Sequence, residues 1–74
     1  MQQKANLEQA WLEYRNQLFG FIRGKVDTTE DAEDLLNDVF STLLEVTAEN
    51  KFPAKLGPWL YLVSKNRIVD YYRS

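Results

Sequence analysis

Residues 29–46 read TEDAEDLLNDVFSTLLEV, and their apolar side chains recur at intervals of three and four residues. This spacing gathers them on one side of an α-helix and predicts an amphipathic helix over the whole stretch. Thr28 or Thr29 can cap its first turn, where acidic side chains also favour the positive end of the helix dipole. We expect its buried face to consist of Ala32, Leu35, Leu36, Val39, Leu43 and Val46.

The opposite face of this helix is polar and mostly acidic. It comprises Glu30, Asp34, Asn37, Asp38, Ser41 and Glu45, with Phe40 and Leu44 on its flank. Two interpretations stay open. The first is an ordinary solvent-facing surface, which the pattern alone favours. The second is a docking surface for a basic partner helix.

The sequence on either side predicts two further helices. An apolar stripe of the same period covers residues 7–25. Turn-forming residues predict a loop over residues 47–57. Pro58 then suits the first turn of a helix over residues 58–73. The sequence therefore predicts an all-α fold, a small antiparallel bundle of three main helices with a short loop or helical turn before the last.

The last of these helices carries apolar residues on two sides. One arc consists of Trp59, Leu62, Val63 and Val69, and the other of Leu60, Tyr61, Ile68, Tyr71 and Tyr72. A bundle of three helices has room to cover one arc and hardly both. We therefore expect an exposed, aromatic-rich surface, which on a small domain usually marks a binding site.

Composition excludes several classes of function. The 74 residues include no cysteine and no histidine. This removes disulfides, thiolate or imidazole metal ligands and Ser-His or Cys-His nucleophile sets. No apolar run approaches the roughly 18 residues of a membrane span. We expect a cytoplasmic, non-enzymatic protein with no cofactor, no metal, no small-molecule substrate and no membrane partner.

Charge is strongly segregated along the chain. Residues 27–50 hold eight acidic residues and no basic one, whereas residues 51–74 hold five basic residues and one acidic. In the basic part, cations alternate with aromatic residues, and Asn66 can read a base edge. Such a surface suits single-stranded or partly melted DNA. The alternative is that the rings are core residues and the cations are merely solvated.

Two runs resemble region 2 of the extracytoplasmic-function sigma factors of bacterial RNA polymerase. They are DAEDLLNDVF at residues 31–40 and WLYLVSKNRIVDYYR at residues 59–73. Their order, their spacing and the intervening loop with Phe52 are also similar, so the resemblance covers about residues 7–73. It implies a helical domain that binds the polymerase core and recognises and melts the promoter −10 element.

The resemblance also implies which residues make each contact. The clamp coiled coil of the largest polymerase subunit is expected to bind Asp34, Asn37, Asp38, Phe40, Ser41 and Leu44. The melted non-template strand is expected to contact Lys51, Phe52, Lys55, Trp59, Tyr61, Lys65, Asn66, Arg67 and Arg73. The loop over residues 49–57 matches the segment that captures an extruded base. An anti-sigma factor is a further partner that the resemblance suggests.

Some positions depart from the family pattern. Asn37 and Asp38 stand where Gln-Glu is common, and Leu62 stands where an arginine is frequent. Promoter specificity therefore does not carry over. The family's second domain, a helix-turn-helix for the −35 element, does not follow residue 74, and we expect a fragment of a longer protein. The competing hypothesis is a helical adaptor domain that binds other proteins and no DNA.

Overall fold

The computed structural model describes the backbone of residues 2–73 and the side chains of residues 7–73. Three helices follow one another: α1 (Gln2–Arg23), α2 (Thr29–Ala48) and α3 (Leu56–Arg73). Residues 2–73 contain no strand, and each helix packs against the other two. The predicted all-α bundle of three helices is confirmed. Within the same residues, no helix is both long and apolar enough to cross a membrane.

Helix α2 begins and ends where local hydrogen bonds replace the missing helical ones. Thr28 has an extended backbone, and its hydroxyl accepts a hydrogen bond from the Asp31 amide at 3.0 Å. At the other end, Asn50 adopts a left-handed φ of 59°. The amides of Lys51 and Asn50 donate back to the carbonyls of Val46 and Thr47. This Schellman arrangement carries α2 two residues beyond the predicted end.

The other two helices also differ from prediction at their ends. Helix α1 begins five residues earlier than expected and stops at Arg23, where the Lys25 amide bonds the Ile22 carbonyl at 2.9 Å and tightens the last turn. Helix α3 begins at Leu56, before Pro58. Proline is tolerated there because the first-turn amides have no helical acceptor.

The core lies along the predicted apolar face of α2. Five of its six residues are buried, and Val46 is half-buried. They meet Leu18 and Ile22 of α1 and Leu60 of α3, each of which is fully buried. Every residue of the predicted polar face of α2 is exposed, so the division of this helix into two faces is confirmed.

Helix α3 buries neither of its two predicted arcs as a unit. The buried stripe contains Leu60, Val63, Ser64 and Ile68, which takes members from both arcs. The expected aromatic-rich outer surface was wrong in part, because Tyr61 and Tyr71 are half-buried against neighbouring helices. The exposed apolar residues on α3 are Leu62, Val69 and Tyr72. The stripe therefore crosses from one predicted arc into the other.

Two adjacent leucines of α2 provide a matched test of the core. Leu43 is fully buried, whereas Leu44 is 45% exposed. We expect Leu43→Ala to lower the free energy of unfolding by about 2–5 kcal/mol. Leu44→Ala should change it by about 0.5 kcal/mol or less. Urea denaturation followed by circular dichroism measures both, and equal losses would contradict this orientation of α2.

Candidate partner-docking and nucleic-acid interface

The outer face of α2 presents its carboxylates to solvent. Asp34, Asn37, Asp38 and Ser41 are all exposed. Among residues 7–73, neither ion pair involves Asp34 or Asp38. Neither carboxylate is therefore held in an ion pair within this part of the chain, although Asp38 shares a groove with Arg67. A basic partner can approach this face with favourable long-range attraction.

An apolar edge borders this acidic face on the side of α1. The Phe40 ring packs against Trp11 with centroids 4.7 Å apart and a 33° tilt, which fixes its position. Leu44 is exposed one turn further along α2. On α1, Leu12 is exposed to 65%, the largest fraction among the exposed large apolar residues of the described part. Leu12 was not among the predicted binding residues, because it lies off the apolar stripe of α1.

The outward side of α3 combines cations, an amide and aliphatic groups. Lys65, Asn66 and Arg73 are exposed there, together with Leu62 and Val69. Spacings of three, four and seven residues from Leu62 or Asn66 keep these side chains on one side of the helix. The structure therefore brings together three of the predicted DNA-binding residues on one accessible surface.

The segment before α3 adds further predicted residues to the accessible surface. Lys51, Phe52 and Lys55 are exposed, and Phe52 retains 49% of its accessible area. The Lys51 ammonium lies 3.9 Å from the Glu49 carboxylate, and both side chains are mostly in water. Such an exposed ion pair contributes little to the stability of the fold, so the lysine is available to bind a phosphate. Trp59, at the start of α3, is half-buried.

Tyr61 lies against α1. Its ring meets Phe21 edge-on with centroids 5.3 Å apart, and its hydroxyl donates to Gln17 Oε1 at 3.5 Å. The ring is therefore partly engaged inside the domain.

Arg67 faces α2. Its Nη2 donates to Thr42 Oγ1 at 2.9 Å, and its Nη1 lies 3.8 Å from Asp70 Oδ2. The guanidinium lies in an open groove between α2 and α3, which is also lined by Asp38 and Glu45. The structure thus separates Arg67 from Lys65, although the sequence analysis assigned both to the same DNA-binding set.

The two tyrosines that end α3 bind residues around the α1–α2 loop. The Tyr71 hydroxyl donates to Asp31 Oδ2 at 2.7 Å and lies 3.4 Å from Asp27 Oδ2. The hydrogen bond to Asp31, helped by partial burial and the nearby negative charges, raises the pKa of Tyr71 to about 12. The Tyr72 hydroxyl donates to the Lys25 carbonyl. Neither hydroxyl contact followed from the sequence pattern.

The family model for sigma-70 region 2 matches residues 10–74. The chain belongs to the sigma-70 region 2 family. The match includes both runs that suggested such a region, and it confirms that resemblance.

Two sigma factors are similar to this region 2 domain. The RNA polymerase sigma factor SigZ of Bacillus subtilis is 30% identical over 70 residues, which cover 93% of this chain and 39% of that protein. A probable RNA polymerase sigma factor of Haemophilus influenzae is 30% identical over 59 residues, which cover 80% of this chain and 30% of that protein. The chain therefore spans less than half the length of either relative. No solved structure gives a significant match.

The phenol of Tyr71 gives a test of this geometry by titration. Its pKa is raised from 10.0 to about 12, so the stability that its hydrogen bond adds is present below pH 10 and is lost as pH rises through 12. We expect Asp31→Asn to lower the pKa of Tyr71 towards 10, measured by NMR of the ring carbons. Asp34→Asn, an exposed change one turn away, should leave it unchanged. An unaltered value in Asp31→Asn would show that Asp31 is not the cause.

Proposed function

We propose that this domain docks on the RNA polymerase core and recognises and melts the promoter −10 element during transcription initiation. The observation that carries the proposal is the placement of opposite charges on two different outward faces. Helix α2 exposes acidic residues, whereas α3 and the loop before it expose cations. In this proposal the polymerase supplies the catalysis, and the domain supplies positioning and DNA recognition.

The docking partner in this proposal is the clamp coiled coil of the largest polymerase subunit. Its contacts are Asp34, Asn37, Asp38, Phe40, Ser41 and Leu44. The carboxylates of Asp34 and Asp38, which form no ion pair among residues 7–73, would attract a basic partner. Phe40 is held in place by Trp11, so the apolar edge is ordered before binding. An ordered anchor loses less conformational freedom on association, which favours affinity.

The DNA partner in this proposal is the melted non-template strand of the −10 element. Lys51, Lys55, Lys65 and Arg73 are the cations available for phosphates, and Asn66 is available for a base edge. Phe52, in the loop over residues 49–55, and Trp59, in the first turn of α3, offer ring surface to an extruded base. Extruding a base costs a few kcal/mol, and stacking returns about 1–3 kcal/mol per base.

Tyr61 and Arg67 belong to the same proposed DNA-binding region, but both are half-buried against a neighbouring helix. Because the whole chain has a net charge of −2, its unaided attraction to duplex DNA is expected to be weak. Attachment to the polymerase would raise the local concentration of the domain at the promoter. An anti-sigma protein that covers either face would block initiation.

The competing function is a helical adaptor without DNA binding. It is favoured by Leu62 and Val69, which are 56% and 44% exposed on the outer side of α3. Aliphatic groups are common at protein contacts, although they also fit thymine methyl groups. Binding to a single-stranded oligonucleotide in the presence of core polymerase separates these two functions.

Reversal of charge on α2 tests docking. We expect Asp38→Arg to weaken binding to purified bacterial RNA polymerase core by about tenfold or more, because like charges would meet in the interface. Glu13→Arg makes the same change in charge on the exposed side of α1 and should bind as wild type. Equal binding by Asp38→Arg and wild type in a titration with labelled domain would contradict the proposed docking face.

Reversal of charge on α3 tests DNA binding. In complex with core polymerase, Lys65→Glu should lower affinity for a single-stranded oligonucleotide about tenfold, and wild-type binding should weaken steeply with salt. Arg15→Glu reverses an exposed charge on α1 and should have little effect. Docking on the core should survive in both variants. An adaptor would show no oligonucleotide binding above that of core polymerase alone.

A further inference from the structure

Arg67 belongs to α3, but its guanidinium contacts α2 and is not turned outward like Lys65. Its side chain is 35% exposed, and its guanidinium points across the groove to Thr42. It is therefore on a different side of α3 from Lys65, Asn66 and Arg73, which face outward. A cation with this orientation can act on the neighbouring helix more readily than on a strand lying along the outer surface.

Thr42 continues this contact into the backbone of α2. Its hydroxyl accepts from Arg67 Nη2 at 2.9 Å and donates to the Asp38 carbonyl at 3.0 Å. One hydroxyl can do both because it has one proton and two lone pairs. The result is a continuous chain of hydrogen bonds from α3 to the turn that carries Asp38. Linked bonds of this kind polarise and strengthen one another.

The charges around Arg67 disfavour a phosphate at the same place. Asp38, Glu45 and Asp70 line the groove with it, and the Asp70 carboxylate lies 3.8 Å from the guanidinium. Three carboxylates around one cation give the groove a net negative character. A phosphate that approached Arg67 from this side would therefore meet repulsion as well as attraction.

We propose that Arg67 is a positioning residue, which joins the DNA-facing helix α3 to the docking turn of α2 through Thr42 and Asp38. This inference rests on the proposed function, since it assigns the two joined helices to the polymerase and to DNA. In this role Arg67 acts on the DNA-facing region through α2, and its guanidinium is engaged by Thr42. It holds the outward side of α3 at a fixed angle to the docked helix, so that Lys65 and Asn66 reach the strand.

The contact of Tyr71 with Asp31 supports this role. Tyr71 follows Arg67 by one helical turn. It contacts α2 at Asp31, in the first turn, whereas Arg67 contacts α2 at Thr42, in the second half of the helix. Two separated attachments restrain the rotation of one helix against another better than one attachment does. Thr42→Val should therefore loosen α3 without releasing it.

A double-mutant cycle with a salt titration tests the inference. In complex with core polymerase, we expect Arg67→Ala and Thr42→Val each to weaken oligonucleotide binding about fivefold, the effect of one net hydrogen bond. The double variant should be no weaker than either single variant, because both remove the same contact. Thr42→Ser keeps the hydroxyl and should bind the oligonucleotide with wild-type affinity. All variants are compared at a temperature at which circular dichroism shows each of them to be folded.

The salt dependence separates positioning from phosphate binding. Lys65→Ala should reduce the slope of log affinity against log salt by about 0.7, the loss of one phosphate contact on a single strand. Arg67→Ala should leave that slope unchanged. The inference would be overturned if Arg67→Ala reduced this slope. It would also be overturned if the losses of oligonucleotide affinity were additive in the double variant, or if Thr42→Val bound as wild type. If wild type itself gives no docking or no oligonucleotide binding, the proposed function has failed.

Discussion

The burial of one side of α2 is the constraint on which the other features depend. Ala32, Leu36, Val39 and Leu43 are nearly or fully buried, and they meet both neighbouring helices. A helix that repeats every 3.6 residues cannot bury these positions without turning Asp34, Asn37 and Ser41 towards solvent. The hydrophobic core thus fixes the direction of the acidic face, and none of the carboxylates on that face is buried.

Helix α3 is held in a different way. Its narrow buried stripe is flanked by long polar and aromatic side chains, which reach α1 through Tyr61 and α2 through Arg67 and Tyr71. Such contacts depend on direction as well as distance, so they fix the rotation of the helix about its own axis. Its remaining side faces outward with Lys65, Asn66 and Arg73.

The acidic face of α2 and the basic side of α3 can attract different partners even in a domain this small. The bundle measures 39 × 21 × 18 Å, whereas salt screens exposed charges over about 8 Å under physiological conditions. Fields from the outer sides of α2 and α3 are therefore largely independent of each other. In the groove between the two helices, Asp38 and Glu45 of α2 share a lining with Arg67, whose ion pair with Asp70 lies within α3.

The sequence by itself determined the existence of three helices and the two faces of α2. Both follow from the spacing of apolar and acidic residues along one element, which local geometry converts directly into faces. The helix ends were less certain, because the Schellman turn at Asn50 and the tightened end of α1 depend on hydrogen bonds that spacing does not encode.

Only the tertiary structure decided how α3 is rotated. Its sequence has apolar residues on two arcs, so several rotations would bury a similar amount of apolar area. The choice placed Arg67 beside Thr42 and Tyr61 beside Phe21, and it left Lys65 outside. Charge and ring content left DNA binding by this helix as one of two interpretations, and the family resemblance favoured it. Which of its cations face outward depends on the packing of three helices together, and no single segment specifies that.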